Sequence, residues 1–153
     1  MHRNVTPRNI LIERTTRRAK LNDLVLAKAW DDAAVEPLTR DGEVLGELAY
    51  QSPEVLGSGQ PIDHRADLYS LGTTLYALLT GRPPFEARTP AQIIEMVLTQ
   101  PPESPTKYHL SIPALFEGTV LRLLSKRPAD RPQNAATLLM DLQRIAQFQV
   151  VDL

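Results

Sequence analysis

Ala66-Asp67-Leu68-Tyr69-Ser70-Leu71-Gly72-Thr73-Thr74-Leu75-Tyr76-Ala77-Leu78-Leu79-Thr80-Gly81-Arg82-Pro83-Pro84-Phe85 is the stretch on which the fold turns. Leu68, Leu71, Leu75 and the Leu78–Leu79 pair recur at helical spacing, and Tyr69 and Tyr76 stand seven residues apart. This is the period of an α-helix that is apolar nearly all round, and such a helix is buried. The pattern predicts a helix over 66–80 that ends at Gly81, with Pro83-Pro84 just beyond as the stop. The Tyr69–Tyr76 spacing reads as packing rather than as a recognition stripe.

Downstream, Thr89-Pro90 caps a second helix reaching about Leu98, and a proline-rich stretch over 100–105 continues as a stiff connection to about Ile112. A third helix is expected over 114–124 and a fourth over 134–148, with Leu138, Leu142, Ile145 and Ala146 on one face of the fourth. Upstream, Ser52-Pro53-Glu54 reads as the opening of a short helix: a capping side chain, proline at the first helical position and an early acid. Residues 29–45 are mixed, acidic and without a period, which marks a long loop. Residues 9–13 and 18–23 are short β-prone runs joined by Thr15-Thr16-Arg17, a hairpin. The expected fold class is therefore mainly α with a small β-hairpin.

Composition bounds the rest. The 153 residues suit one domain, and 42% hydrophobic with 23% charged is ordinary for a globular protein. A formal net charge of −1 argues for neither nucleic acid nor a membrane surface as partner. There are no cysteines, which removes disulfides, thiolate zinc sites and cysteine nucleophiles. His2, His64 and His109 lie far apart and show no ligand spacing. No signal peptide is visible, and the longest apolar-leaning stretch, 68–79, is too short to span a bilayer, so a cytoplasmic protein without a membrane segment is expected.

Five motifs take the reading further. His2-Arg3-Asn4-Val5-Thr6-Pro7-Arg8-Asn9-Ile10-Leu11-Ile12 resembles the catalytic loop of protein kinases, H-R-D-x-K-P-x-N-I-L-[IL]. Lys20-Leu21-Asn22-Asp23-Leu24-Val25-Leu26-Ala27-Lys28 resembles the family's K-[IL]-x-D-F-G-L-A-[KR] segment. Gly46-Glu47-Leu48-Ala49-Tyr50-Gln51-Ser52-Pro53-Glu54 is similar to G-T-x-x-Y-M-[AS]-P-E. The stretch that opens this section is similar to the family's D-[IV]-Y-S-L-G…L-L-T-G-x-P-P-F helix, and Lys126-Arg127-Pro128-Ala129-Asp130-Arg131-Pro132 to its late K-x-P-x-x-R-P motif. Five motifs in one order cover nearly the whole chain, in the manner of bacterial-type Ser/Thr kinases.

The resemblance implies a partial kinase-like domain over 1–153, running from catalytic loop to final helix, with an activation segment over 23–54. It also implies where the chemistry has changed. Phosphoryl transfer needs positioning and charge compensation more than covalent help. The family's catalytic Asp is here Asn4, an amide that accepts no proton at neutral pH. The Lys that steadies the transferred phosphate is Thr6, and the Thr that bridges those two groups is Glu47. Asn9 and Asp23 occupy the magnesium-binding positions, and through them ATP and Mg²⁺ are implied by the family. Asp23 is followed by Leu24-Val25 in place of Phe-Gly, and a β-branched valine resists the backbone turn that the glycine allows. The fragment by itself is therefore expected to hold no cofactor. Arg3, Glu54, Asp67 and Arg131 fall on structural positions: Glu54 and Arg131 on the family's ion pair, Asp67 where an Asp accepts N–H groups of the catalytic loop, Arg3 where a phosphate on the activation segment is paired. Thr39, the one hydroxyl between Asp23 and Gly46, reads as a solvated threonine.

The upper lobe of the family, with its glycine-rich loop and strand lysine, has no counterpart in this sequence, nor does the helix that precedes the catalytic loop. The expected fold is thus the C-terminal lobe of a kinase-like domain, N-terminal lobe absent, with an apolar face of the 66–80 helix left for a protein partner or for a missing N-terminal half. The expected function is a catalytically impaired kinase-like module that acts through binding or scaffolding. The alternative is the C-terminal half of a working ATP-dependent Ser/Thr kinase.

Overall fold

The computed structural model describes residues 1–22 and 46–150; Asp23, the loop expected over 29–45 and Thr39 lie outside the described residues. Two strands, β1 (Ile10–Ile12) and β2 (Ala19–Leu21), pair antiparallel with Ile10 opposite Leu21, Leu11 opposite Lys20 and Ile12 opposite Ala19. Among the described residues the longer helices are α1 (Arg65–Thr80), α2 (Pro90–Thr99), α3 (Ala114–Leu123) and α4 (Ala135–Val150). The chain is mainly helical with one small sheet, and no helix among the described residues is long and apolar enough to cross a membrane.

Local contacts set several of the helix ends. The Asp63 carboxylate accepts the Arg65 N–H at 2.8 Å and pairs with the Arg65 guanidinium, which holds that carboxyl down at about 2. Gly81 at φ 78° ends α1, its N–H bonded to the Ala77 carbonyl. Thr89 Oγ1 accepts the Gln92 N–H to open α2, and Asn134 Oδ1 accepts the Thr137 N–H at 2.8 Å to open α4.

Of the leucines that announced α1, Leu68 alone is fully buried. Tyr69, Ser70, Gly72, Thr73, Thr74 and Tyr76 are buried, Leu71, Leu75 and Leu79 are half-buried, and Leu78 is 68% exposed. Small and hydroxylated residues win the buried side because α3 comes very close there: a Cβ built on Gly72 would lie 2.6 Å from Leu123 Cβ. The buried hydroxyls bond to backbone, Thr73 Oγ1 to the Tyr69 carbonyl and Thr74 Oγ1 to that of Val5. Leu71 and Leu75 pack on a cluster of Leu68, Leu123 and Leu138. A second cluster joins Ala49, Tyr69, Tyr76, Phe85, Ile93, Val97, Val120 and Leu124. On α4, Leu138 is buried and Leu142 and Ile145 half-buried as the pattern required, whereas Ala146 is exposed.

Ser52-Pro53-Glu54 winds a single turn and not a helix. Val55 and Leu56 N–H bond to the Ser52 carbonyl and Ser58 N–H to that of Pro53, but Ser52 Oγ caps nothing. Gly57 at φ 103° and Gly59 at φ 75° end the coil before a second turn forms.

Gly72→Ala tests the α1–α3 contact. Its methyl would collide with Leu123, and such overpacking costs about 1–3 kcal/mol; the expected result is a lower melting temperature by circular dichroism, with an unchanged value showing that the helices part freely.

Candidate functional site

The segment 2–9 gains its shape from α1. Both oxygens of Asp67, in the first turn of α1, accept backbone N–H groups at 2.7 Å: Oδ2 from His2 and Oδ1 from Arg3. These charge-assisted bonds hold Arg3 at φ 66°, a left-handed conformation that a non-glycine residue takes only under constraint. About two turns further along α1, Thr74 Oγ1 fixes the Val5 carbonyl at 3.2 Å. Pro7 then opens a single 3₁₀ turn, Pro7–Asn9, closed by the Asn9 N–H on the Thr6 carbonyl at 3.0 Å. Asn9 reaches back with Nδ2 to the Asn4 carbonyl, also at 3.0 Å. The His2 side chain is buried.

The loop forms one wall of a cleft of about 420 Å³. Asn4 and Thr6, both more than nine-tenths buried, and half-buried Asn9 stand on this wall. Gly46, Glu47 and Tyr50 line the same cleft, so the structure brings Asn4, Thr6, Asn9 and Glu47 around one space. Residues 46–50 are held by the Tyr50 N–H on the Glu47 carbonyl and by Ser70 Oγ, which donates to the Tyr50 carbonyl at 2.7 Å. Asp23 lies outside the described residues. The described residues hold no group of three or more His, Cys, Asp or Glu placed for a metal.

Three residues on the rim, Arg8, Tyr50 and Glu86, were not singled out by the sequence. Burial first, and the nearby Glu86 carboxylate second, push the Tyr50 phenol upward, against the Arg8 guanidinium. Glu86 arrives because Gly81 and the two prolines after it fold the chain back from the end of α1, and it pairs with Arg82 at 2.7 Å. That Gly81–Pro84 break was the available signal: a sharp return after a buried helix delivers the next residues to the same end of the molecule.

Glu54 and Arg131 meet in a bidentate pair, Nη1 to Oε1 at 2.7 Å and Nη2 to Oε2 at 2.8 Å, with side chains 1% and 0% exposed. Arg131 also donates to the carbonyls of Ser125 at 2.9 Å, Arg65 at 2.9 Å and Lys126 at 3.2 Å, and its guanidinium lies 4.9 Å from the Tyr69 ring centre. Nearby, Lys126 donates to the Val97 carbonyl at the end of α2 and sits over the Phe85 ring. Burial, then the Arg131 charge, bring that ammonium down to about 8.

Residues 1–142 match the family described as Protein kinase domain. Serine/threonine-protein kinase PknB of Mycolicibacterium smegmatis is 35% identical over 152 residues, covering 99% of this chain and 24% of that protein. PknB of Mycobacterium tuberculosis is 37% identical over 145 residues, covering 95% and 23%. Serine/threonine-protein kinase pkn3 of Myxococcus xanthus is 38% identical over 151 residues, covering 95% and 27%. The chain spans about a quarter of the length of the curated relatives it matches.

Arg131→Met would leave the Glu54 carboxylate buried without its cation. Removing one partner of such a pair costs about 3–5 kcal/mol, so the urea midpoint of the variant should fall sharply. An unchanged midpoint would show that the pair does not hold the fold.

Proposed function

Since the chain belongs to the protein kinase domain family, we propose that it is the lower, helical lobe of a bacterial-type Ser/Thr kinase domain in which the cleft is retained for binding and the groups for phosphoryl transfer are missing. The observation that carries this reading is the make-up of the cleft wall. Asn4 offers an amide where proton acceptance is needed, Thr6 a neutral hydroxyl where a cation is needed, and Glu47 a carboxylate facing the same space. An amide cannot take the substrate hydroxyl's proton, and a carboxylate opposes an incoming phosphate.

ATP and Mg²⁺ enter through the family alone. Asn9 suits a cation in part: its Nδ2 is committed to the Asn4 carbonyl, which leaves the amide oxygen, a hard donor of the kind Mg²⁺ accepts. Asp23 would be the second ligand. Mg²⁺ bound there would supply charge compensation for the phosphates. In this reading the activation segment is 23–54, and the lobe binds either the other half of its own domain or a protein partner.

One observation favours the competing reading, the lower half of a working enzyme: Asp67, Thr74 and Asn9 keep the loop in a single bonded shape. A chimera that joins this chain to the upper lobe of the Mycolicibacterium relative separates the two. With Asn4→Asp, Thr6→Lys and Glu47→Thr together, transfer of labelled phosphate to a Ser/Thr peptide should rise about 10²–10⁴-fold over the unaltered chimera, the usual worth of a general base. Equal rates at an ordinary kinase level would overturn the impaired reading.

A further inference from the structure

The β1–β2 hairpin carries a charge that nothing in the cleft uses. Residues 13–20 hold Arg14, Arg17, Arg18 and Lys20 against a single acid, Glu13, in a chain whose net charge is −1, so the rest of the chain is net acidic. Every residue from 11 to 22 is exposed. The one carboxylate is occupied within the hairpin, by Thr16 Oγ1 and by Lys20 at 3.8 Å. Arg14, Arg17 and Arg18 pair with no carboxylate among the described residues. The tip is also fixed in shape: the Arg17 N–H bonds to the Glu13 carbonyl at 2.8 Å, the Glu13 N–H to the Arg18 carbonyl at 2.9 Å, and Arg17 is left-handed at φ 57°.

The two faces of the ribbon differ. Pairing of Leu11 with Lys20 puts Leu11, Arg18 and Lys20 on one face; Ile10, Ile12, Ala19 and Leu21 share the other, with Ile12 58% and Leu21 51% exposed. The sheet has two strands only, so β2 has a free outer edge among the described residues. The Arg18 carbonyl and the Asn22 N–H point toward β1, which turns the backbone groups of Ala19 and Leu21 outward along that edge.

We infer that this hairpin is a docking surface for an extended acidic peptide segment of a partner protein, one that alternates carboxylate and apolar side chains. Added along β2, such a segment bonds to the outward groups of Ala19 and Leu21 and sets its carboxylates against Arg18, Lys20 and the Arg14–Arg17 tip. Its apolar residues then cover Leu21 and Ile12. Four cations on a rigid turn favour a short anionic strand over a nucleic acid, because a long polyanion would run from them onto an otherwise acidic molecule.

The test is fluorescence anisotropy of a labelled peptide alternating glutamate and valine, titrated with the full chain at low and at physiological salt. Saturable binding is expected, weakened by salt, with a lysine–valine peptide left unbound. Arg14→Glu with Arg18→Glu should weaken it about tenfold or more, from two ion pairs lost and two repulsions gained. Arg88→Glu with Arg144→Glu, which alters the same total charge on other elements, should leave it within about twofold. Arg14→Gln with Arg18→Gln, at an unchanged melting temperature, should give an intermediate loss and so exclude unfolding as the cause. Binding that survives the Arg14/Arg18 reversal, or no binding at all, overturns the proposal. So does binding confined to duplex DNA or to vesicles of phosphatidylserine.

Discussion

A single guanidinium, that of Arg131, ties three other parts of the chain to one point. It grips Glu54 from the turn after residues 46–50, the Arg65 carbonyl in the first turn of α1, and the Ser125 and Lys126 carbonyls just after α3, while lying over the Tyr69 ring. Both charged side chains are almost fully out of water. Removing two charges from water costs several kcal/mol each, and only a geometry in which the donors and both carboxylate oxygens are matched offsets that. The pair therefore adds little net stability over a well-packed apolar substitute, but it tolerates one arrangement. Through it, α1 is oriented against the 46–56 segment, and α1 in turn carries Asp67, Ser70 and Thr74, which place the two walls of the cleft.

The frame and the contents of the cleft respond to different physics. Its walls are set by long-range bonds to backbone carbonyls and N–H groups, which are indifferent to the side chains at positions 4, 6 and 47. An aspartate could stand in place of Asn4 without disturbing the Asp67, Thr74 or Asn9 bonds, because Asn9 contacts the Asn4 carbonyl and not its side chain. Shape and chemistry can thus change independently here, which is why a cleft of family form can carry an amide, a hydroxyl and a carboxylate at these places.

Legibility followed the range of the interactions. Helices α1 to α4 and the hairpin showed in local signals, such as Thr89-Pro90 before α2, Asn134 before α4 and Gly81 after α1, because caps and periods act within a few residues. Which side of α1 would be buried did not show. The leucine pattern marks a helix, whereas the choice of Gly72, Thr73 and Thr74 for the inner side is made by the close approach of α3, some fifty residues away in the chain. Ser52 failed as a cap for a related reason: glycines at 57 and 59 bound the turn, and Glu54 is drawn to Arg131. Of the cleft, Asn4, Thr6, Asn9 and Glu47 could be named because motif order encodes contacts that period cannot. Arg8, Tyr50 and Glu86 could not, since their meeting depends on the bend at Gly81–Pro84.

The tethers of the 2–9 segment also set an order of events in time. Its anchors, Asp67 and Thr74, are separated from His2 and Val5 by 65 and 69 residues of chain. A ribosome adding about 5–20 residues per second needs roughly 3–14 seconds to make that much polypeptide. During those seconds the loop lacks the Asp67 carboxylate and the Thr74 hydroxyl that fix its backbone at His2, Arg3 and Val5. The earliest-made of the described residues are thus among the last to take their final form, because the groups that hold them arrive only with α1.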